Sequence, residues 1–271
     1  MTQGHVLATR REGAIAIVSL GSASRIYMDP EMSEALHAAL LDLARDSAIG
    51  AVVLTGGAPG YFLKHYSVAD IVRFGETVRS SGRTWTEEQR YLPSTFDRCI
   101  ELCEAMGKPT IAAISGTCMG GAFELALACD IRIAEHGDYQ IGLPEVNIGL
   151  IPGAGGTQRL PRAIGVPAAL MHILLGIPIS PAEAERRGFV HETVSGRALD
   201  RAIEVAQRLL RHTPQSLASI KRLVREALSR PLAEGLRIER NLFMMLASSE
   251  PALERMKALL SGNVSIASGD R

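Results

Sequence analysis

Aromatic side chains are scarce in this chain of 271 residues: one Trp, five Tyr and six Phe, 4% of the whole. A core must therefore be built mainly from Ala, Leu, Ile and Val. Charge of one sign is missing too, with 29 Lys and Arg set against 29 Asp and Glu. A balanced chain carries no electrostatic footprint for nucleic acid or for an anionic membrane surface, so neither is expected as a partner. Cysteine is limited to Cys99, Cys103, Cys118 and Cys129. Cys99 and Cys103 stand one helical turn apart, but no Cys or His pair completes a zinc set, and no metal is expected. Free thiols in a reducing compartment are the simpler reading. No apolar run reaches the roughly 18 residues of a membrane span, and the N-terminus lacks the basic-then-apolar pattern of a secretion signal. A cytoplasmic protein is expected.

Hydrophobic residues make up 46% of the chain and charged residues 21%, ordinary values for a globule that can bury one large core. "AIAIVSL" (14–20) alternates and is rich in β-branched residues, which predicts a strand. In "DPEMSEALHAALLDLARD" (29–46), Asp29 stands as an N-cap, Pro30 takes the first helical position, and Met32, Leu36, Leu40 and Leu43 share a face. "AVVLTG" (51–56) and "TIAAIS" (110–115) read as buried strands. Thr86 is taken to cap a helix running through residue 106, and 130–134 and 139–142 are further strands. Beyond about residue 156 helical patterns take over, at 167–175, 181–187, 198–211, 214–228, 231–247 and 250–260. Alternating strand and helix specifies an α/β layer fold. The expected organisation is an α/β core over 1–195 and a helical region over 196–271, with frayed small polar residues at 262–271.

Within "KPTIAAISGTCMGGAFELALACD" (108–130) the reading is strand, tight turn, helix. A helix start exposes unpaired N–H groups at the positive end of its dipole, and Gly120 and Gly121 let a ligand approach them closely. The result is a socket for negative charge: a phosphate, or a carbonyl oxygen that becomes an enolate. No G-x-x-x-x-G-K-[ST] occurs, and "GAGGTQ" (153–158) lacks the third glycine of a dinucleotide fingerprint, which weighs against phosphate. Glu124 falls in the first turn of that helix. Glu145 stands in "GLPEVNIGLIPGAGG" (142–156), a loop with much special backbone. Each glutamate alone is a surface or capping group; two beside one oxyanion socket form a general acid/base pair.

"PTIAAISGTCMGGAFELALACDIRIA" followed by "PEVNIGLIPGAGGTQRLPRAIG" resembles the enoyl-CoA hydratase/isomerase (crotonase) superfamily. "AVVLTGG" before it and "ISPAEAERRGFV" after it fit in order, and the resemblance covers roughly residues 6–230. It implies a crotonase spiral of ββα units forming two roughly perpendicular sheets, with a helical C-terminal part that helps to form a homotrimer, often paired into a hexamer. It implies an acyl-CoA substrate, with CoA as part of the substrate and no separate cofactor. Two backbone amides would hold the thioester oxygen, the second being that of Gly121. Glu124 and Glu145 would together handle the water that adds across a 2,3-double bond, and Gly153 would help to place that water. The alternative is another superfamily reaction, namely β-diketone hydrolysis, decarboxylation or isomerisation. A non-catalytic scaffold, including an RNA-binding one, is disfavoured by the zero net charge and the two retained acids.

Three stretches depart from the family pattern. The first oxyanion loop is "YFLKHYSVADI" (61–71), with Lys64, His65 and Tyr66 where small residues are usual. Anchoring on Phe62 makes Tyr66 the first amide donor and puts Ser67 at an acidic position; anchoring on "ADI" gives Ala69 and Asp70. Tyr66 is preferred, since a main-chain donor leaves its side chain free to vary. Lys64 and His65 then narrow the pocket or add a contact, and His65 and Tyr66 either pack or act as an acid or orienting group. In "LGSASRIYMDPEM" (20–32), Arg25 is a candidate for a CoA phosphate. In "SSEPALERMKALLSGN" (248–263), Lys257 is a candidate for a phosphate of a neighbouring subunit's ligand. The remaining histidines show no ligand spacing.

Overall fold

The computed structural model describes residues 6–262. The expectation of a frayed 262–271 therefore falls, after Gly262, outside the described residues, as does His5. The elements run β1 (Leu7–Glu12), β2 (Ile15–Leu20), α1 (Pro30–Arg45), β3 (Ala51–Gly56), β4 (Gly60–Leu63), α2 (Val68–Ser80), α3 (Thr95–Ala105), β5 (Thr110–Ile114), β6 (Gly116–Met119), α4 (Gly121–Ala128), β7 (Ile131–Glu135) and β8 (Ile141–Gly142). A 3₁₀ turn follows at Glu145–Ile148, then α5 (Gly156–Ile164), α6 (Val166–Leu175), α7 (Pro181–Arg186), β9 (Glu192–Val194), α8 (Ala198–Leu209), α9 (Pro214–Glu226), α10 (Leu232–Ala247) and α11 (Glu250–Leu260).

The strands alternate between two sheets. One has the order β1-β2-β3-β5-β7-β9 and the other β4-β6-β8. Each passage β3–β4, β5–β6 and β7–β8 thus contributes one strand to each sheet before the chain turns into a helix or 3₁₀ turn. β1 and β2 pair antiparallel; every later pairing between these strands is parallel.

Period-two alternation explains why the large sheet reads as apolar on both faces. Register aligns Ile15 with Ala51, Val53 with Ile111, and Ala113 with Ile133. These residues face α8, whose Ala198, Ala202 and Ala206 recur at helical spacing and are buried against them. The intervening Ala16, Val18, Val52, Leu54, Ala112 and Ile114 face the main core, with α1, α3 and α4. α8 therefore belongs to the sheet by its packing, although the sequence pattern groups it with the later helices. α9, α10 and α11 bury no residue fully.

α1 forms as its sequence specifies. The Asp29 side chain accepts from the Met32 amide at 2.8 Å, and Met32, Leu36, Leu40 and Leu43 are buried. The helix expected from Thr86 to 106 is shorter. α3 starts at Thr95 with Ser94 as its cap, in a reciprocal capping box with Asp97. Pro93 explains the correction: the residue before a proline is pushed out of helical backbone, and a proline inside a helix removes a hydrogen bond.

Candidate active site

The small sheet builds the site. Its three parallel strands deliver the segments that follow them to one edge. Leu63 aligns with Cys118, and Met119 with Gly142. Residues 64–67, the start of α4 and the turn carrying Glu145 thus meet, although they lie far apart in sequence. The Met119 amide donates to the Lys64 carbonyl at 3.1 Å, and the Gly120 amide donates to the Gly142 carbonyl at 2.9 Å.

Gly120 has φ 54° and ψ −133°, backbone that only glycine adopts readily. Its carbonyl accepts from the Phe123 and Glu124 amides at 2.8 and 2.9 Å, while the Gly121 amide has no acceptor among the described residues. Tyr66 pairs with Met28 in parallel fashion. Met28 N–H donates to the His65 carbonyl at 3.0 Å, and Ser67 N–H to the Met28 carbonyl at 2.7 Å. Such pairing turns the Tyr66 amide to the opposite side, and it too has no acceptor among the described residues. A Cβ on Gly121 would lie 3.1 Å from Tyr66 Cβ, so the two free amides belong to adjacent backbone. Ala69 instead sits in the exposed first turn of α2, and Ser67 caps that helix through the Asp70 amide.

Glu124 is buried. Its Oε1 accepts from the Ala154 amide at 2.7 Å and the Gly156 amide at 2.8 Å. Glu145 reaches the same helix start: its Oε1 lies 3.1 Å from where a Cβ on Gly120 would stand, and its buried Oε2 finds no donor among the described residues. Burial pushes both carboxyls above the ordinary range. At Glu124 the Gly156 and Ala154 amides and the Arg159 charge oppose the rise. At Glu145 the counterweight is its own backbone amide, the Glu124 charge adds to the rise, and the group reaches about 7. Two carboxyls in unequal surroundings around one helix start suit separate acid and base roles.

His65 Nδ1 donates to the Tyr66 carbonyl at 2.6 Å, and its ring lies 4.8 Å from that of Tyr27. Lys64 Nζ stands 5.7 Å from the Tyr27 ring centre, a weak cation–π distance. The Tyr66 ring packs on the main core and on Phe96, 5.4 Å away. Of the options left open for that side chain, packing is the one the geometry favours. Gly153 is exposed on the loop that precedes the two amides on Glu124. Arg25 is held by Asp29 at 3.1 Å and Glu31 at 2.5 Å, and these carboxylates compete with any phosphate for it. Lys257 is exposed on α11, and its ammonium has no partner among the described residues.

Sequence reading missed the clamp behind Glu124. Arg159 Nη1 donates to the Ala154 carbonyl at 2.9 Å, and its fork grips Glu104 at 2.8 and 2.6 Å. Arg225 joins Glu104 to Asp130 at 3.0 and 2.8 Å. The available signal was the arginine four residues after Gly155, whose φ of 97° opens α5.

A family model described as enoyl-CoA hydratase/isomerase matches residues 11–260. The chain belongs to the enoyl-CoA hydratase/isomerase family. A probable enoyl-CoA hydratase of Rhizobium meliloti (strain 1021) is 33% identical, over 94% of this chain and 95% of that protein. The 2,3-dehydroadipyl-CoA hydratase of Escherichia coli (strain K12) is 30% identical, over 94% and 95%. The crystal structure of an enoyl-CoA hydratase from Bacillus anthracis superposes with a TM-score of 0.83 at 29% identity, over 95% of this chain and 97% of that one. The alternation of strands between two sheets is therefore the crotonase fold of this family.

Proposed function

We propose that Glu124 and Glu145 act as a pair in adding water across the 2,3-double bond of an acyl-CoA thioester, and that this hydratase-type lyase reaction is the protein's activity. As a family member whose relatives are named enoyl-CoA hydratases, the chain is an enzyme of that class. The observation that carries the roles is the meeting of a buried carboxyl, Glu124, and a half-buried one, Glu145, with two unclaimed amides at the start of α4.

In this reading the Tyr66 and Gly121 amides donate to the thioester oxygen and stabilise the enolate that forms when C3 is attacked. Glu124, oriented by the Ala154 and Gly156 amides, takes a proton from water as the water oxygen bonds to C3. Glu145, whose carboxyl is raised to about 7, carries the proton that reaches C2. The Gly153 amide helps to place the water. One water is consumed and one 3-hydroxyacyl thioester results; Glu124 is left protonated and Glu145 ionised, and a proton passing from Glu124 to Glu145 through water restores both, so the cycle closes with no cofactor beyond the CoA of the substrate. Lys64, His65 and, less directly, Arg25 are the residues we assign to contacts with the CoA portion.

Two exposed apolar surfaces support a homotrimer, or a hexamer made from two of them. One includes Ile148, Ile151 and Leu174; the other includes Val224, Phe243 and Met244. Two unlike patches suit head-to-tail contacts that close into a ring. Four buried free thiols fit a reducing compartment, and the cytoplasm is the location we assign. No helix among the described residues is long and apolar enough to cross a membrane.

The test is product identification. Crotonyl-CoA, 2,3-dehydroadipyl-CoA and aryl enoyl-CoAs are incubated with the enzyme and followed by mass spectrometry. Gain of one water on at least one of them is expected. Loss of carbon dioxide, chain cleavage, or migration of the double bond without added water would assign the protein to another reaction of its family.

A further inference from the structure

The turn that carries Glu145 has little beneath it. No residue of Glu145–Ile148 is buried, and Val146 and Ile148 are exposed. Packing does little to fix the turn, so hydrogen bonds must hold it. Most of those bonds are internal. The Asn147 amide donates to the Pro144 carbonyl at 3.0 Å, and the Gly149 and Leu150 amides donate to the Val146 and Glu145 carbonyls at 3.1 Å each. Such bonds shape the turn without attaching it to the rest of the fold.

Asn147 supplies the attachment. Its Nδ2 donates to the Gly176 carbonyl at 2.9 Å, across 29 residues of sequence. Among the described residues no other hydrogen bond joins Glu145–Ile148 to another helix or strand. Gly176 ends α6, and the contact depends on its missing side chain. A Cβ there would lie 2.7 Å from Val146 Cγ1 and 2.8 Å from both Asn147 Nδ2 and Asn147 Oδ1. A donor suits this place, because the carbonyls at a helix C-terminus lack partners and carry the negative pole.

The anchor itself is firm. α6 buries Ala169 and His172. Beyond Gly176, the Ile179 and Ile141 backbones exchange hydrogen bonds of 2.9 Å each. The next residue after Ile141, Gly142, accepts from the Gly120 amide. β8, the Glu145 turn and the end of α6 therefore form a closed frame. That frame meets the start of α4, where the Gly121 amide lies free. Asn147 is exposed and its carboxamide is spent on Gly176, so its influence on the chemistry passes through Glu145.

We propose that Asn147 is a positioning residue for Glu145: by pinning the turn to Gly176, it sets how the carboxyl reaches the start of α4. The proposal rests on the acid role given to Glu145 above and names the residue through which that role is held.

The experiment compares full-length wild type, Asn147→Ala, Asn147→Asp and Glu145→Gln, together with each Asn147 variant combined with Glu145→Gln. Steady-state rates are measured on whichever thioester named above gains water, and thermal unfolding establishes that each protein is folded. A displacement of about 1 Å can cost up to about 10²-fold. Asn147→Ala should therefore lower kcat by about tenfold to a hundredfold, with little change in KM. Asn147→Asp keeps the shape but offers the Gly176 carbonyl no donor, and should fall at least as far. With Glu145 already replaced, either Asn147 variant should cost less than about twofold more, because the group it positions is gone. If Asn147→Ala does not fold, Asn147→Asp carries the same comparison. A wild-type kcat in a folded Asn147 variant overturns the proposal. So does a rise in KM alone, or an equal loss of kcat with and without Glu145. In each of those cases a slow Glu145→Gln enzyme leaves the acid/base reading standing. A Glu145→Gln enzyme as fast as wild type, or no thioester that gains water, overturns both.

Discussion

Glu145 Oε1 lies against Gly120, 3.1 Å from the point a Cβ would occupy. Gly120 itself bends the chain from β6 into α4 with φ 54°. Gly120→Ala therefore meets two obstacles: strained backbone, worth roughly 1–3 kcal/mol, and a methyl group pressed on the half-buried Glu145 carboxyl. Thermal unfolding should show a loss of that order. The rate of crotonyl-CoA hydration should fall further than stability alone explains, because Glu145 must shift. Wild-type turnover in a folded Gly120→Ala protein would show that the contact has no part in the chemistry.

Protonation of Glu145 should be visible in stability. The carboxyl titrates near its ordinary 4.5 in the unfolded chain and at about 7 in the fold. The folded state holds the proton more tightly, so this contribution is fully present below the unfolded value. It is lost as pH rises toward and through 7. Burial moves Glu124 in the same direction. A glutamine does not ionise. The Tm of Glu145→Gln minus that of wild type should therefore grow between about pH 5 and about pH 8. A difference independent of pH would contradict the raised carboxyl. The pH–rate profile should reflect apparent values belonging to the pair of acids rather than to either alone.

Arg159 acts on Glu124 from behind. It holds the Ala154 carbonyl while the Ala154 amide donates to Glu124, and it also grips Glu104. Arg159→Ala should cost about 1–3 kcal/mol of stability through the lost charged hydrogen bonds. On the proposed mechanism it should also lower kcat with little change in KM, since it would loosen the carboxylate assigned to the water rather than a contact to substrate. Arg159→Lys keeps the charge but not the fork, and should restore part of the stability and less of the rate. Equal recovery of both would reduce Arg159 to a packing role.

The parts of this molecule legible in sequence are those written in side chains. Asp29 and Pro30 announce α1, and its apolar stripe appears again as buried residues. The buried strands 51–56 and 110–115 stand out because both of their faces are apolar. Strands β4 and β6, four residues each, hide within segments that read as turns. Residues 86–94 invite a helix until Pro93 is weighed against it. α2 escapes notice because its apolar face serves no core.

At the site, the two glutamates and the glycine pair are visible as residue types in unusual places. The donors that hold Glu124 are not. They are backbone amides of Ala154 and Gly156, identical in chemistry to every other amide, brought 30 and 32 residues back along the chain by the fold. The choice between Tyr66 and Ala69 is likewise a matter of which amide turns toward Gly121, and only the pairing of Tyr66 with Met28 expresses it.

The most direct measurement is steady-state hydration of enoyl-CoA by wild type, Glu124→Gln, Glu145→Gln and the double variant, each checked for folding by thermal unfolding. Loss of a positioned acid or base costs about 10²–10⁴-fold. If the two carboxyls work as the proposed unit, each single variant should fall by that much and the double variant only slightly further. A folded Glu145→Gln enzyme that retains the wild-type rate would contradict the account.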